Sequence, residues 1–260
     1  MAPLPRVRTL EDRTAETGLR AIGSAWTRAA FDGAFFETPP AGGLSMGVVF
    51  VRSRDGDTET RTPAALGGGA VDEHLIYEGL SRVAADAVVA GGATLHPDAL
   101  FTVWRPEFVE LRRRLGLPRH PAQIVMSADG SATPDDVLLF NLPGVRVFLI
   151  TSAAGRDRLS APLAARPWVR AIVAGSLAEQ FAALRDAGIH RACSVGGRRS
   201  ATALVDANLV NDVYLTTTQA AGGTPATPWY IGRRRLAMTT VLVKAWDGEH
   251  GAVRFEHGVL

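Results

Sequence analysis

The sequence predicts an α/β fold of three layers, with helices on both faces of a mixed, mostly parallel sheet and an antiparallel hairpin at the C-terminal end. Three observations carry that expectation. Short apolar, β-branched runs such as residues 87–90 and 147–150 recur along the chain and alternate with segments of helical period. That alternation marks strands buried on both faces and joined by crossover helices. Residues 236–255 instead read as two strands meeting at Asp247-Gly248, a hairpin signal.

In chain order, residues 1–44 read as an N-terminal extension and linker, with helix formers over 10–30 and a Pro/Gly linker at 38–43. Residues 45–260 form the single domain. Its first strand spans 46–52 and ends in the turn Ser53-Arg54-Asp55-Gly56. A Pro/Gly-rich loop covers 62–69. Asp72 then caps a helix that runs to Ala84 and buries Leu75, Ile76, Gly79, Leu80 and Val83. The next strand, 87–90, is followed at once by Gly91-Gly92. A short arginine-rich helix is expected at 106–115, and strands at 123–126, 145–151 and 168–173. Ser176 starts a helix that reaches Ala187. A strand over 191–195 leads into Gly196-Gly197, then a helix over 200–207, a strand over 211–217 and the closing hairpin.

Composition narrows the function classes. With 260 residues, 47% hydrophobic and 21% charged, the chain suits one large soluble domain. A formal net charge of +2 gives no footing for a nucleic-acid surface. No run reaches membrane-span length, and the N-terminus lacks a secretory pattern, so a cytoplasmic location is expected. Cys193 is the sole cysteine and reads as a small buried thiol; the six histidines show no metal-ligand spacing. Lys244 is the only lysine, which nearly excludes Schiff-base chemistry.

The chemistry gathers at two strand ends. After the strand at 87–90, Gly91 and Gly92 let the backbone turn tightly or lie against a ligand, and Thr94 and Asp98 place a hydroxyl and a carboxylate just beyond. Ligands of open α/β sheets bind at such carboxyl ends. At Val195-Gly196-Gly197-Arg198-Arg199-Ser200 a strand, two glycines and a helix start bring free N–H groups and the positive helix end to one point, a geometry suited to a pyrophosphate. Arg198 and Arg199 would add charge-assisted bonds. Ordinary strand exits with turn glycines and surface arginines are the competing account. Neither segment matches G-x-G-x-x-G or the P-loop.

Taken together, these segments resemble the reductase domain found at the C-terminus of the bifunctional riboflavin-biosynthesis deaminase/reductase, a dihydrofolate-reductase-like fold that also occurs alone. The resemblance runs from about Ser45 onward and includes no deaminase zinc motif. Ser53-x-Asp55-Gly56 is similar to the family's S-x-D-G, and Leu66-Gly67-Gly68-Gly69-x-x-Asp72 to the glycine loop of its stand-alone members. Residues 82–94 match R-x-x-x-D-A-x-x-x-G-x-x-T, Gly196-Gly197 through Leu204 resembles E-G-G-x-x-x-x-x-x-L, and Leu209-Val210-Asn211-Asp212 resembles L-V-D-E.

The resemblance implies NADPH as hydride donor, a small-molecule sugar-phosphate pyrimidine as acceptor, and a homodimer. It places Ser53, Thr94, Asp98, Ser127, Gly196, Gly197, Arg198 and Arg199 with the cofactor, and Arg82 and Arg105 with the substrate. Asp98 is the only carboxylate the motif places well for catalysis; cofactor contact is its better-supported role, with a bound water or the substrate as the other sources of the proton. The residues that should contact a polar acceptor depart from the pattern: Val195 replaces the glutamate before Gly-Gly, and Val49 the lysine or asparagine four residues before Ser53. A valine cannot hydrogen-bond a pyrimidine or a ribose hydroxyl. The expected reductase thus acts on a pyrimidine- or pterin-like acceptor with an altered substrate side. The alternative is a non-catalytic NADP-binding or dimer-forming protein of the same fold, its hairpin pairing strands across the dimer axis.

Overall fold

The computed structural model describes residues 4–40, 43–59 and 63–260, leaving aside the side chains of 63, 64 and 75–78. Leu75 and Ile76, expected on a buried helix face, and Ala41, Gly42 and Thr62, expected in loops, lie outside the described residues.

Alternation within the apolar runs builds the sheet. In β4 (Ser45–Arg52), Met46, Val48 and Phe50 face one apolar cluster while Val49 faces the other. In β5 (Ala87–Gly91), Val88 and Ala90 oppose Ala87 and Val89 in the same way. The parallel set is completed by β6 (Ala122–Met126), β7 (Val147–Ile150), β8 (Val169–Ile172), β9 (Arg191–Ser194) and β10 (Asp212–Thr217). The hairpin strands β11 (Thr239–Gly248) and β12 (Gly251–Val259) lie antiparallel beside them. With β1 (Arg8–Asp12), the described residues form a 10-stranded sheet in the order β1-β11-β12-β10-β4-β9-β5-β6-β7-β8. The α/β class, the mostly parallel sheet and the C-terminal hairpin are therefore as expected.

One face is covered by α2 (Gly69–Asp72, continuing as a wide π-type turn through Glu73–Val83), α3 (Pro106–Arg114), α4 (Ala153–Arg158) leading into α5 (Ser160–Ala164), and the N-terminal segment. The other carries α6 (Leu177–Asp186) and α7 (Arg198–Asp206). Ser176 caps α6 in a capping box with Glu179, as its sequence foretells.

The N-terminal 44 residues differ from the expected helical stretch. They contain β1, a short ladder of β2 (Arg20–Ile22) with β3 (Phe35–Glu37), and the six-residue α1 (Ala25–Ala30) capped by Ser24. Arg-Thr-Leu-Glu-Asp has no apolar helical face, and an edge strand needs only a partner backbone, which β11 offers. Phe31 and Phe35 are buried with the main core, each contributing about 2–3 kcal/mol. The Lys244 ammonium fastens this segment, donating to Thr9 Oγ1 and to the carbonyls of Phe31 and Asp32 at 2.8–3.0 Å.

Two boundaries move. The hairpin turns at Glu249-His250, because Gly248 still pairs with Gly251. Gly251 at φ +116° supplies the left-handed backbone there, a conformation Asp247-Gly248 was expected to provide. Asp72 sits inside its helix instead of capping it, since Gly67 and Gly69, at φ +74° and +70°, turn the chain into the helix earlier. The hairpin edge expected to face a second copy is occupied by β1, whose Arg8, Glu11 and Asp12 leave a charged, exposed rim. No helix among the described residues is long and apolar enough to cross a membrane.

Candidate active site

Strand order decides where a ligand fits. The chain leaves β5 through α3 toward β6, while it leaves β9 through α7 toward β10, on the opposite side and the opposite face. Since β5 and β9 are neighbours, their carboxyl ends form the crevice at which connections diverge, the place where open α/β sheets hold ligands.

Both glycine pairs reach this point. A Cβ on Gly197 would lie 2.9 Å from Thr94 Oγ1, one on Gly196 would lie 3.7 Å from Thr94 Cγ2, and one on Gly91 would lie 2.5 Å from Ser200 Oγ. Gly197 also sits at φ 85° and ψ 96°, a conformation open essentially to glycine alone. The two corners picked out in the sequence are thus one site. Ser200, not anticipated from the sequence, forms its floor. The only available signal was its place in the first turn after Gly-Gly.

The start of α7 is bare of side-chain caps. Ser24, Ser152 and Ser176 each accept an N–H at the head of their own helices, whereas Gly197 offers no side chain to the first turn of α7. Those donors remain for an anion. Arg199 is exposed beside them, and Arg198 pairs with Glu59 from the loop after β4. An arriving diphosphate would compete with Glu59 for Arg198. The pieces present fit a nicotinamide dinucleotide: two glycines that keep the approach open, a helix start with unspent donors, and two arginines.

The other predicted residues divide. Ser127 abuts Gly92, whose Cβ would stand 3.4 Å from it, but it is buried and its hydroxyl accepts the Ala132 N–H, so it supports the corner. Ser53 is fully buried and closes its own turn through the Asp57 N–H. Arg82 is 4% exposed, donates to the Thr102 carbonyl at 2.7 Å and lies over the Phe101 ring, near the N-terminal end of β5. The structure therefore does not bring it to the crevice; it ties the 99–103 segment to α2. Arg105 precedes α3 on that same side, close to His74, whose pKa is lowered by burial and by this guanidinium. Val49 and Val195 are buried in the same apolar cluster.

Asp98 does not suit the acid role expected of it. Its side chain is 88% exposed and accepts from or pairs with His96 Nδ1 at 2.6 Å, an interaction that holds its carboxyl below the usual range. An ionised carboxylate in water has no proton to give at neutral pH.

Asp72 was missed as a candidate for this role. Burial pushes its carboxyl up to about 6, against a smaller opposing pull from the Thr216 hydroxyl. Its Oδ1 and the Thr216 Oγ1 are both buried without a formed hydrogen bond. Such a carboxyl, at the head of the helix following β4, is mostly ionised at pH 7 but exchanges its proton close to neutrality, which makes it a candidate acid. Cys193 is buried, and desolvation raises its thiol far out of reactive range.

No protein-family model matches the sequence, and no curated protein matches it. Solved structures do share its fold. The chain is similar to a pyrimidine reductase-like protein of Corynebacterium diphtheriae, with a TM-score of 0.67 and 18% identity over 83% of this chain and 91% of that one. It is also similar to RibD of Acinetobacter baumannii, with a TM-score of 0.61 and 14% identity over 84% of this chain. The match spans only 58% of that longer protein. The riboflavin biosynthesis reductase of Saccharomyces cerevisiae aligns at a TM-score of 0.53 and 13% identity over 85% of this chain and 95% of its own. At such identities the likeness establishes the fold: this chain has the α/β fold of those reductase structures.

Proposed function

We propose that the protein is an NADPH-dependent reductase that passes a hydride to a small pyrimidine- or pterin-like acceptor. The observation that carries the reading is the joining of Thr94, Gly91 and Ser200 with Gly196-Gly197 in the β5/β9 crevice. The names of the structures that share the fold, pyrimidine reductase-like and riboflavin biosynthesis reductase, support the same class.

In this reading the N–H groups opening α7 receive the diphosphate, helped by the helix dipole and by Arg198 once it leaves Glu59. Arg199 stands nearby for an additional phosphate, which favours NADPH over NADH. Thr94 Oγ1 and the glycines would line the approach to those donors. When bound, the nicotinamide supplies the hydride. The protein's own contribution is orientation and a proton. Burial raises the Asp72 carboxyl to about 6, so it carries its proton below that pH and keeps only a minor protonated fraction at pH 7; in that form it would serve as the acid for the reduced acceptor. Val49 and Val195 leave the neighbouring wall apolar, so the acceptor is one that does not ask for hydrogen bonds there.

The test is a titration with NADPH and NADH followed by nicotinamide fluorescence, then NADPH oxidation with ribosylaminopyrimidine phosphates, dihydropterins and small ketones. Saturable NADPH binding with turnover of one acceptor class is expected. Failure to bind either nucleotide at millimolar concentration would overturn the reading. A second reading, a protein that binds NADPH without reducing anything, is favoured by the Arg198–Glu59 pair and the buried valines; binding without turnover would select it.

A further inference from the structure

We propose a second small-molecule site at the opposite end of the sheet, for a compact aromatic or branched carboxylate, in the cavity between the N-terminal segment and the distal halves of α2 and α3. The cavity measures about 160 Å³ and is walled by Phe31, Phe35, Leu80, Val83, Phe108 and Leu111. Interiors are normally filled to crystal density, and a void forfeits contacts along its whole lining. This one compares with the engineered cavity of about 150 Å³ that takes up benzene. One ring or a branched chain fits it; a nucleotide does not.

The charged side chains that line it are both arginines. Arg20, with a side chain 44% exposed, and Arg191, 23% exposed, both line it. They share one carboxylate oxygen: Glu37 Oε1 pairs with Arg20 and lies 3.7 Å from Arg191. The other nearby acid, Asp86, is 3.9 Å from Arg191 through Oδ1, and its Oδ2 already accepts the N–H groups of His190 and Arg191 at 2.9 Å. Arg191 Nε is buried with no hydrogen-bond partner. Burial and then the neighbouring Arg191 charge depress the Arg20 pKa, against an opposing pull from Asp86. A ligand carboxylate meets both needs, taking the unspent donor and separating the like charges, while its apolar body fills the cavity.

The site is distinct from the hydride crevice. Arg191 is the first residue of β9, whereas Gly196 follows its last, so the strand's length lies between them. The inference does not rest on the reductase reading, and its test reads out separately.

The full chain is titrated with benzoate and with benzyl alcohol, by calorimetry and by thermal shift, with and without saturating NADPH. Benzoate is expected to bind at least about tenfold more tightly than the alcohol, and Arg20→Gln to erase most of that difference. Ala84→Leu, which fills the cavity from α2, is expected to abolish benzoate binding while the protein stays folded by circular dichroism. Arg20→Gln acts at an exposed position and keeps the test open should Ala84→Leu not fold. Equal affinity for acid and alcohol, benzoate binding unaffected by both substitutions, displacement of benzoate by NADPH, or no binding at ten millimolar or so would each overturn the proposal.

Discussion

Replacing Asp72 by asparagine tests both the energetics of the buried carboxyl and its use as an acid. The group titrates near 6 in the folded protein against an ordinary value of 3.8, so its neutral form is favoured by the fold. Between about pH 4 and pH 6 the native state binds the proton more strongly than the unfolded chain does. Stability therefore falls as pH rises through that window and stays lower above it. About two pH units correspond to about 3 kcal/mol. Asp72 as a residue is partly exposed although its Oδ1 is buried, so solvent trims this to about 2 kcal/mol. Asp72→Asn should match the wild type at pH 4 in urea unfolding and exceed it by about 2 kcal/mol at pH 8. Its turnover should drop by about a hundredfold or more, and it should lose the decline in kcat/KM above about pH 6 that is expected of the wild type. Equal stabilities at pH 8 would refute the burial argument. A variant that keeps full turnover would refute the acid role.

Three further outcomes are expected. Gly197→Ala should lose about 1–3 kcal/mol in urea unfolding from its backbone conformation alone, and NADPH titration should show weakened binding; Thr94→Ala in the same chain should restore the part due to the 2.9 Å approach to Oγ1. Asp98→Asn should change NADPH turnover by less than about twofold, because the carboxylate stands in solvent beside His96. Burial lowers the Lys244 ammonium to about 8 despite the nearby charges of Asp32 and Asp12. From about pH 8 to pH 10.5 the unfolded chain keeps a proton that the folded one has released. Unfolding free energy should thus gain on that of Lys244→Met as pH rises through this window, as measured by urea titration.

The parallel strands were legible because each must be buried on both faces, which leaves an apolar run between glycines, as at residues 87–92. The glycine corners were legible for a related reason: a backbone at φ 85° excludes side chains, so the requirement is written in the residue itself. The N-terminal strand was not, since an exposed edge strand is held by backbone pairing and Arg8, Glu11 and Asp12 carry no trace of it. Arg82 looked like an anion ligand because arginine is one in the motif; only the chain's path shows it spent on the Thr102 carbonyl. Asp72 and Asp98 differ in proton affinity because a carboxyl's affinity depends on burial, which spacing along the sequence does not encode.

The strand at the outer edge has a consequence for how the chain assembles. Thr9 and the ammonium that holds it are 235 residues apart, so β1 gains its permanent neighbour only once β11 has formed. The charges of Arg8, Glu11 and Asp12 on that rim disfavour pairing with another chain's edge. Closure of that long loop comes late and slowly. Removing β1 would leave β11 with an open edge.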